Sequence, residues 1–122
     1  MRDERAFLFD ILESAHLVKH YVLGVEKDAF ERNLMLQDAL LRRLTLIGEA
    51  AKQITPETRR LLPELPLREW AGLRDKVVHQ YWRTNLNIIW ETVNDDVQKL
   101  IDAITPLLPP EDAAEAEVRQ DE

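Results

Sequence analysis

Apolar residues recur every three or four positions through most of this chain, the repeat that lines them along one side of an α-helix. Phe7, Leu8, Ile11, Leu12, Ala15, Val18 and Val22 predict a first amphipathic helix from about residue 3 to 23, with Gly24 as its stop. A second helix is expected to start at Asp28, a good N-cap with Glu31 three residues on as in a capping box. Its apolar set is Leu34, Leu36, Leu40, Leu41, Leu44, Ile47, Gly48 and Ala51, and Pro56 sets its end near Ile54. The linker holding Pro56, Pro63 and Pro66 has room for a short helix over 56–62, with proline in its first position. A third main helix opens near Leu67 and carries residues 74–81. Thr84 or Asn85 can cap a fourth, which runs to about Leu107 through Leu86, Ile89, Val93, Val97, Leu100, Ile101 and Ile104. Pro106, Pro109 and Pro110 close it.

No period-two apolar run, Asn-Gly or Asp-Gly hairpin turn, or internal repeat is present. The expected fold is therefore all-α, an up-and-down bundle of four main helices plus the short linker helix, spanning residues 1–108. Phe30 and the three tryptophans are expected in the core or at an interface.

Composition narrows the picture. With 122 residues the chain can bury one core but not two. It has no cysteine, which removes disulfides and thiolate metal sites. Its N-terminus lacks the apolar run of a signal peptide, and no stretch approaches the roughly 20 apolar residues that span a bilayer, so a cytoplasmic protein without membrane contact is expected. The net charge of −7 is unevenly placed. Residues 109–122 hold six acids against Arg119 alone, a net of −5, and are expected as a disordered acidic tail. The remaining 108 residues carry only −2, so local basic patches are compatible with the total.

The chemistry concentrates in Arg74-Asp75-Lys76-Val77-Val78-His79-Gln80-Tyr81, held by Trp70 and Leu73 before it and Trp82 after it. A guanidinium steadies charge on phosphate oxygens, and an imidazole moves protons near neutral pH. On a helix, Arg74 and His79 fall at the two edges of one broad side, and arginine's length lets it reach across. Asp75 lies four residues before His79, where its carboxylate can accept the imidazole's second proton and fix its tautomer. Tyr81 lies nearly above Arg74. The same four residues could equally form a hydrogen-bonded helix with no chemistry.

Other groups compete less well. Glu13, His16 and His20 share a helical face and could hold a metal, but the Glu-x-x-His unit of di-iron bundles occurs once here rather than twice, and a solvated face explains it. Glu49 can pair with Lys52, and Gly48 in mid-helix suits close packing. Arg42, Arg43, Arg59 and Arg60 read as solvated. No Gly-rich phosphate loop, nucleophile elbow or HExxH is present, and no cofactor is expected.

Arg74-x4-His79-x-Tyr81 resembles the signature of HEPN-domain ribonucleases, specifically the HepT-like toxins. The resemblance extends to Leu40-Leu41-Arg42-Arg43-Leu44-x-Leu46-Ile47-Gly48-Glu49-Ala50-Ala51-Lys52, to Trp70-x-x-Leu73-Arg74-Asp75 and to Ile89-Trp90-x-Thr92-Val93, covering roughly residues 3–108. It implies an all-α homodimer with Arg74 and His79 lining a cleft between subunits, and metal-independent cleavage of RNA, either tRNA or mRNA, rather than DNA. It also implies a toxin–antitoxin system in which a nucleotidyltransferase antitoxin adenylylates Tyr81. Where such proteins commonly carry asparagine after the arginine, this chain carries Asp75. A different class of function keeps the fold and drops the chemistry: a helical binding module that docks a nucleotidyltransferase and tolerates loss of His79.

Overall fold

The computed structural model describes residues 3–72 and 85–118, and among them there is no strand. The all-α expectation holds. The first helix, α1 (Glu4–Val22), is capped by Asp3, whose carboxylate accepts from the Ala6 amide at 3.0 Å. It stops where expected, with Gly24 at φ +74°, a left-handed conformation that a side chain disfavours.

The second predicted helix is two helices, and its expected start at Asp28 is corrected. α2 (Lys27–Glu31) is a single turn preceded by Glu26 with no side-chain cap, and α3 (Leu34–Ala51) begins anew behind Asn33. The Asn33 side chain accepts from the Leu36 amide at 3.0 Å, a better N-cap than Asp28 and one aligned with the apolar stripe that follows. Asp28 instead pairs with Arg32 at 2.8 Å. The break is held from inside: the buried Gln37 amide donates to the carbonyls of Phe30 (2.9 Å) and Glu31 (3.2 Å) at the end of the interrupted helix, the first of which also accepts from the Asn33 amide at 3.1 Å. Phe30 is thereby turned fully into the core, its ring 5.0 Å from that of Trp90.

α4 (Pro56–Arg60) matches the expected short helix, with proline in its first turn and Thr55 as N-cap. Helical residues 67–72 form α5. The last predicted helix is interrupted. α6 (Leu86–Glu91) passes into a π-turn (Thr92–Asp96), then α7 (Val97–Ile104) and a 3₁₀ turn (Thr105–Leu107). A π-turn carries one extra residue and rephases everything downstream. In an uninterrupted helix the buried set Ile89, Thr92, Val93, Val97, Leu100, Ile101 and Ile104 would spread over about 180° of arc, at about 100° per residue. With one residue taken out of phase it gathers into about 120°, a stripe one helix face can bury.

The core lies between α1, α3 and α7, where Ile11, Leu12, Leu40, Leu44, Ile47, Leu100 and Ile104 are all fully buried. The tail expectation is corrected as well: residues 110–118 are not disordered but form α8 (Pro110–Val118), packed along α1. Proline at the start and Glu111 and Asp112 in the first turn are a good helix opening, and Ala113 and Ala116, three apart, give it a narrow apolar edge. Ala116 is fully buried, and Arg5 reaches Asp112 at 2.5 Å.

Candidate active site and its surroundings

Arg74, Asp75, His79 and Tyr81 fall within residues 73–84, outside the described residues, as does Trp82. What the structure describes is the chain on either side. α5 approaches this segment from an anchored position, since Leu67 and Trp70 are both buried and the Trp70 amide donates to the Pro66 carbonyl at 3.0 Å. On the far side Asn85 precedes α6, whose Ile89 is buried in the same core.

Beside α5 runs an open groove of about 440 Å3 between residues 64–70 and the π-turn. Trp70 and Thr92 form part of its wall, and Glu64, Glu69 and Asp96 line it with Lys99. Lys99 lies 3.8 Å from Asp96, and among the described lining residues carboxylates outnumber cations. The π-turn that shapes this wall was not foreseen from the sequence; the widened arc of its apolar positions was the available signal.

The α1 candidates separate. Among the described residues no group of three His, Asp or Glu is placed to hold a metal ion, so Glu13, His16 and His20 do not form the alternative metal site. His16 is half-buried where α1, α7 and α8 meet, and His20 is exposed. Burial holds the His16 imidazole below its ordinary pKa, with nearby Lys19 acting in the same direction and Glu117 opposing both. Lys19 donates to the Gln98 side chain, which in turn donates to Asp102 at 2.8 Å.

Two polar ties missed by the sequence reading hold the frame together. Arg59, expected as solvated, donates to the carbonyls of Ile54 and Ala51, each at 3.0 Å, and so closes the C-terminal end of α3. Glu4 accepts from the Thr55 amide at 2.5 Å and from the Thr58 hydroxyl. Gly48 is buried in α3 as its mid-helix position suggested, while Glu49 and Arg42 are exposed.

The HepT-like family, described as Ribonuclease HepT-like, matches this chain over residues 11–107. The chain belongs to the HepT-like ribonuclease family. It is 37% identical to a Methanocaldococcus jannaschii protein named "Putative RNase MJ1380" over 81% of this chain and 91% of that protein. It is 35% identical to "Probable ribonuclease HepT" of Thermococcus cleftensis over 81% of this chain and 90% of that protein. A Caldanaerobacter subterraneus protein named "Putative RNase TTE0752" is 33% identical over 91% of this chain and 99% of that protein. No solved structure matches. The family match takes in every residue of the Arg74–Tyr81 motif and ends three residues before α8. Among the described residues no helix is long and apolar enough to cross a membrane.

Proposed function

We propose that this member of the HepT-like ribonuclease family is a toxin that cleaves RNA without a metal, using Arg74 and His79 from two copies of the chain. The observation that carries this reading is Arg74-x4-His79-x-Tyr81 itself, lying inside the segment that matches the family. RNA brings its own nucleophile. The 2′-oxygen forms a bond to phosphorus, the bond from phosphorus to the 5′-oxygen breaks, one proton leaves the 2′-hydroxyl and another is delivered to the departing oxygen. A single His79 cannot serve both proton roles on opposite sides of an in-line displacement. A two-fold dimer supplies a second imidazole and a second guanidinium across one cleft. Arg74 holds the phosphate oxygens through charge-assisted bonds, and Asp75 accepts from His79 and orients it.

Tyr81, two residues beyond His79, is the proposed target of a nucleotidyltransferase antitoxin. Transfer of an adenylyl group to its hydroxyl places a bulky anion where RNA phosphate would sit, which excludes substrate by charge and by size.

The test is cleavage of tRNA and mRNA by purified protein in EDTA, with wild type compared against His79→Ala. Cleavage by wild type alone supports the assignment. Equal cleavage by both removes His79 from the mechanism. No cleavage by either, with an intact mass showing unmodified Tyr81, favours a non-catalytic module that docks the nucleotidyltransferase.

A further inference from the structure

Residues 73–84, which hold the Arg74–Tyr81 motif, follow α5 and precede α6, and both helices are pinned to the same core by large apolar side chains. On the far side the pin is Ile89, buried like Val93 in the π-turn. On the near side it is Trp70. The chain reaches Trp70 through closely tied backbone: Leu65 donates to the Leu62 carbonyl at 3.0 Å, Leu67 to the Leu65 carbonyl at 2.9 Å, and Trp70 to the Pro66 carbonyl at 3.0 Å. Leu67 and Trp70 are buried, whereas the rest of α5 is exposed or half-buried.

Trp70 also borders the open groove of about 440 Å3 whose other wall includes Thr92 and Asp96 of the π-turn. Its indole is thus joined to the core and yet has open space beside it. Cutting back a side chain in an enclosed core leaves a cavity, because the surroundings relax only in part. Beside a groove the helix that carries the side chain has room to move, and α5 can close on the π-turn instead.

We propose that Trp70 is a positioning residue for RNA cleavage, a spacer whose indole holds α5 off the π-turn and so sets where the chain delivers Arg74, four residues further on, and His79 beyond it. This rests on the ribonuclease reading above. Trp70 touches no substrate in this role; it acts through the two residues that do. Misplacing a catalytic group by about 1 Å costs about a hundredfold in rate, so a small movement of α5 is enough. The supporting side chain is then as necessary to the rate as its size is to the spacing.

The experiment uses the full chain with Trp70→Phe and Trp70→Leu, which shorten the spacer by increasing amounts. Thermal unfolding followed by circular dichroism sets a working temperature at which each variant is folded. There, Trp70→Leu should lower kcat for RNA cleavage on the order of tenfold to a hundredfold, and Trp70→Phe should lose less. Both substitutions are then made in Arg74→Ala protein. Arg74 and His79 act as one unit, and in such units a second change costs little once the first has been made, so the losses should not add. Equal losses in both backgrounds are those of general loosening and overturn the proposal.

A second readout needs no activity. The chain has three histidines, His16 and His20 on α1 and His79 in the motif. Their imidazole proton resonances are assigned by comparison with His79→Ala. In Trp70→Leu the His79 signal alone should shift. Movement of all three, or of none, overturns the proposal. If wild type cleaves no RNA, the ribonuclease reading falls, and a shift of His79 alone keeps Trp70 as the spacer. If wild type cleaves and His79 stays in place, the reading stands and the spacer falls. If Trp70→Leu does not fold, Trp70→Phe decides on the same two readouts.

Discussion

Glu4, the first residue of α1, accepts a hydrogen bond from the Thr55 amide at the start of α4, 51 residues further along the chain. The same carboxylate accepts from the Thr58 hydroxyl, so one side chain covers the open N-terminal end of α4 and pins it to α1. Burial alone would raise the Glu4 pKa, but the bonds from Thr58 and Thr55 together outweigh it and hold the group below its ordinary value of 4.5. A carboxylate depressed in the folded state adds stability at pH above 4.5, and that stability is lost as pH falls through the folded value. Glu4→Ala should cost about 1 kcal/mol at neutral pH, since charge-assisted bonds contribute about 1.5–3 kcal/mol and partial exposure reduces this. Urea denaturation at pH 7 and pH 3 checks both parts: the variant should be weaker than wild type at pH 7, and the gap should narrow at pH 3.

Gln37→Leu should cost about 1–3 kcal/mol. It keeps the volume but strips two carbonyls, those of Phe30 and Glu31, of their buried donor. Thermal unfolding should show a clear loss. A variant as stable as wild type would mean that the break between α2 and α3 is held by the burial of Phe30 alone.

His16 gives the fold a second acid-sensitive point, at a higher pH. Burial depresses its pKa, so the native state resists the proton that the unfolded chain accepts. Its favourable contribution is complete above about 6.5 and declines as pH falls below that value. Wild-type stability should therefore decline between pH 7 and pH 5, and His16→Leu should flatten that decline. An unchanged slope in the variant would place the sensitivity elsewhere.

His79→Ala should lower RNA cleavage on the order of a hundredfold or more, as positioned acid–base groups contribute about that much, and Arg74→Ala should do comparable damage. On the proposed mechanism Asp75 orients His79, so Asp75→Asn, which removes that carboxylate, should move the pH–rate profile to lower pH while leaving cleavage detectable. Full activity in either alanine variant would remove that residue from the mechanism.

Tyr81→Phe should cleave RNA near the wild-type rate and escape the nucleotidyltransferase. Co-expression with that partner, followed by intact mass and cleavage assays, reads both effects at once. Continued inhibition of the phenylalanine variant would rule out Tyr81 modification as the control step.

Much of the fold was legible because helical periodicity follows burial, and burial is local in sequence. The extent of α1, the glycine stop at Gly24, the proline opening of α4 and the end of the last helix near Leu107 were all readable that way. The misread elements turn on partners distant in the chain. Asp28 and Asn33 are both acceptable caps in isolation, and only the Gln37 amide reaching back to Phe30 decides between them. α8 looked like a solvated tail because its acids dominate its composition, yet two alanines and a bond to Arg5 suffice to seat it. The Arg74–Tyr81 motif is of a different kind: it was read from the order of its residues and not from any local physical pattern, and it lies inside the segment that matches the family.

The π-turn at Thr92–Asp96 means that the last helix is written in two reading frames, joined by a single additional letter. Removing one residue there, Asn94 for instance, would leave an ordinary helix with every amide still partnered. Val97, Leu100, Ile101 and Ile104 would keep their phase with Ile89 and Val93 and still face the core they fill. A deletion inside the turn would thus leave the bundle seated, while one in the regular helix beyond it, at Gln98 for instance, would swing Leu100, Ile101 and Ile104 about 100° away from the core.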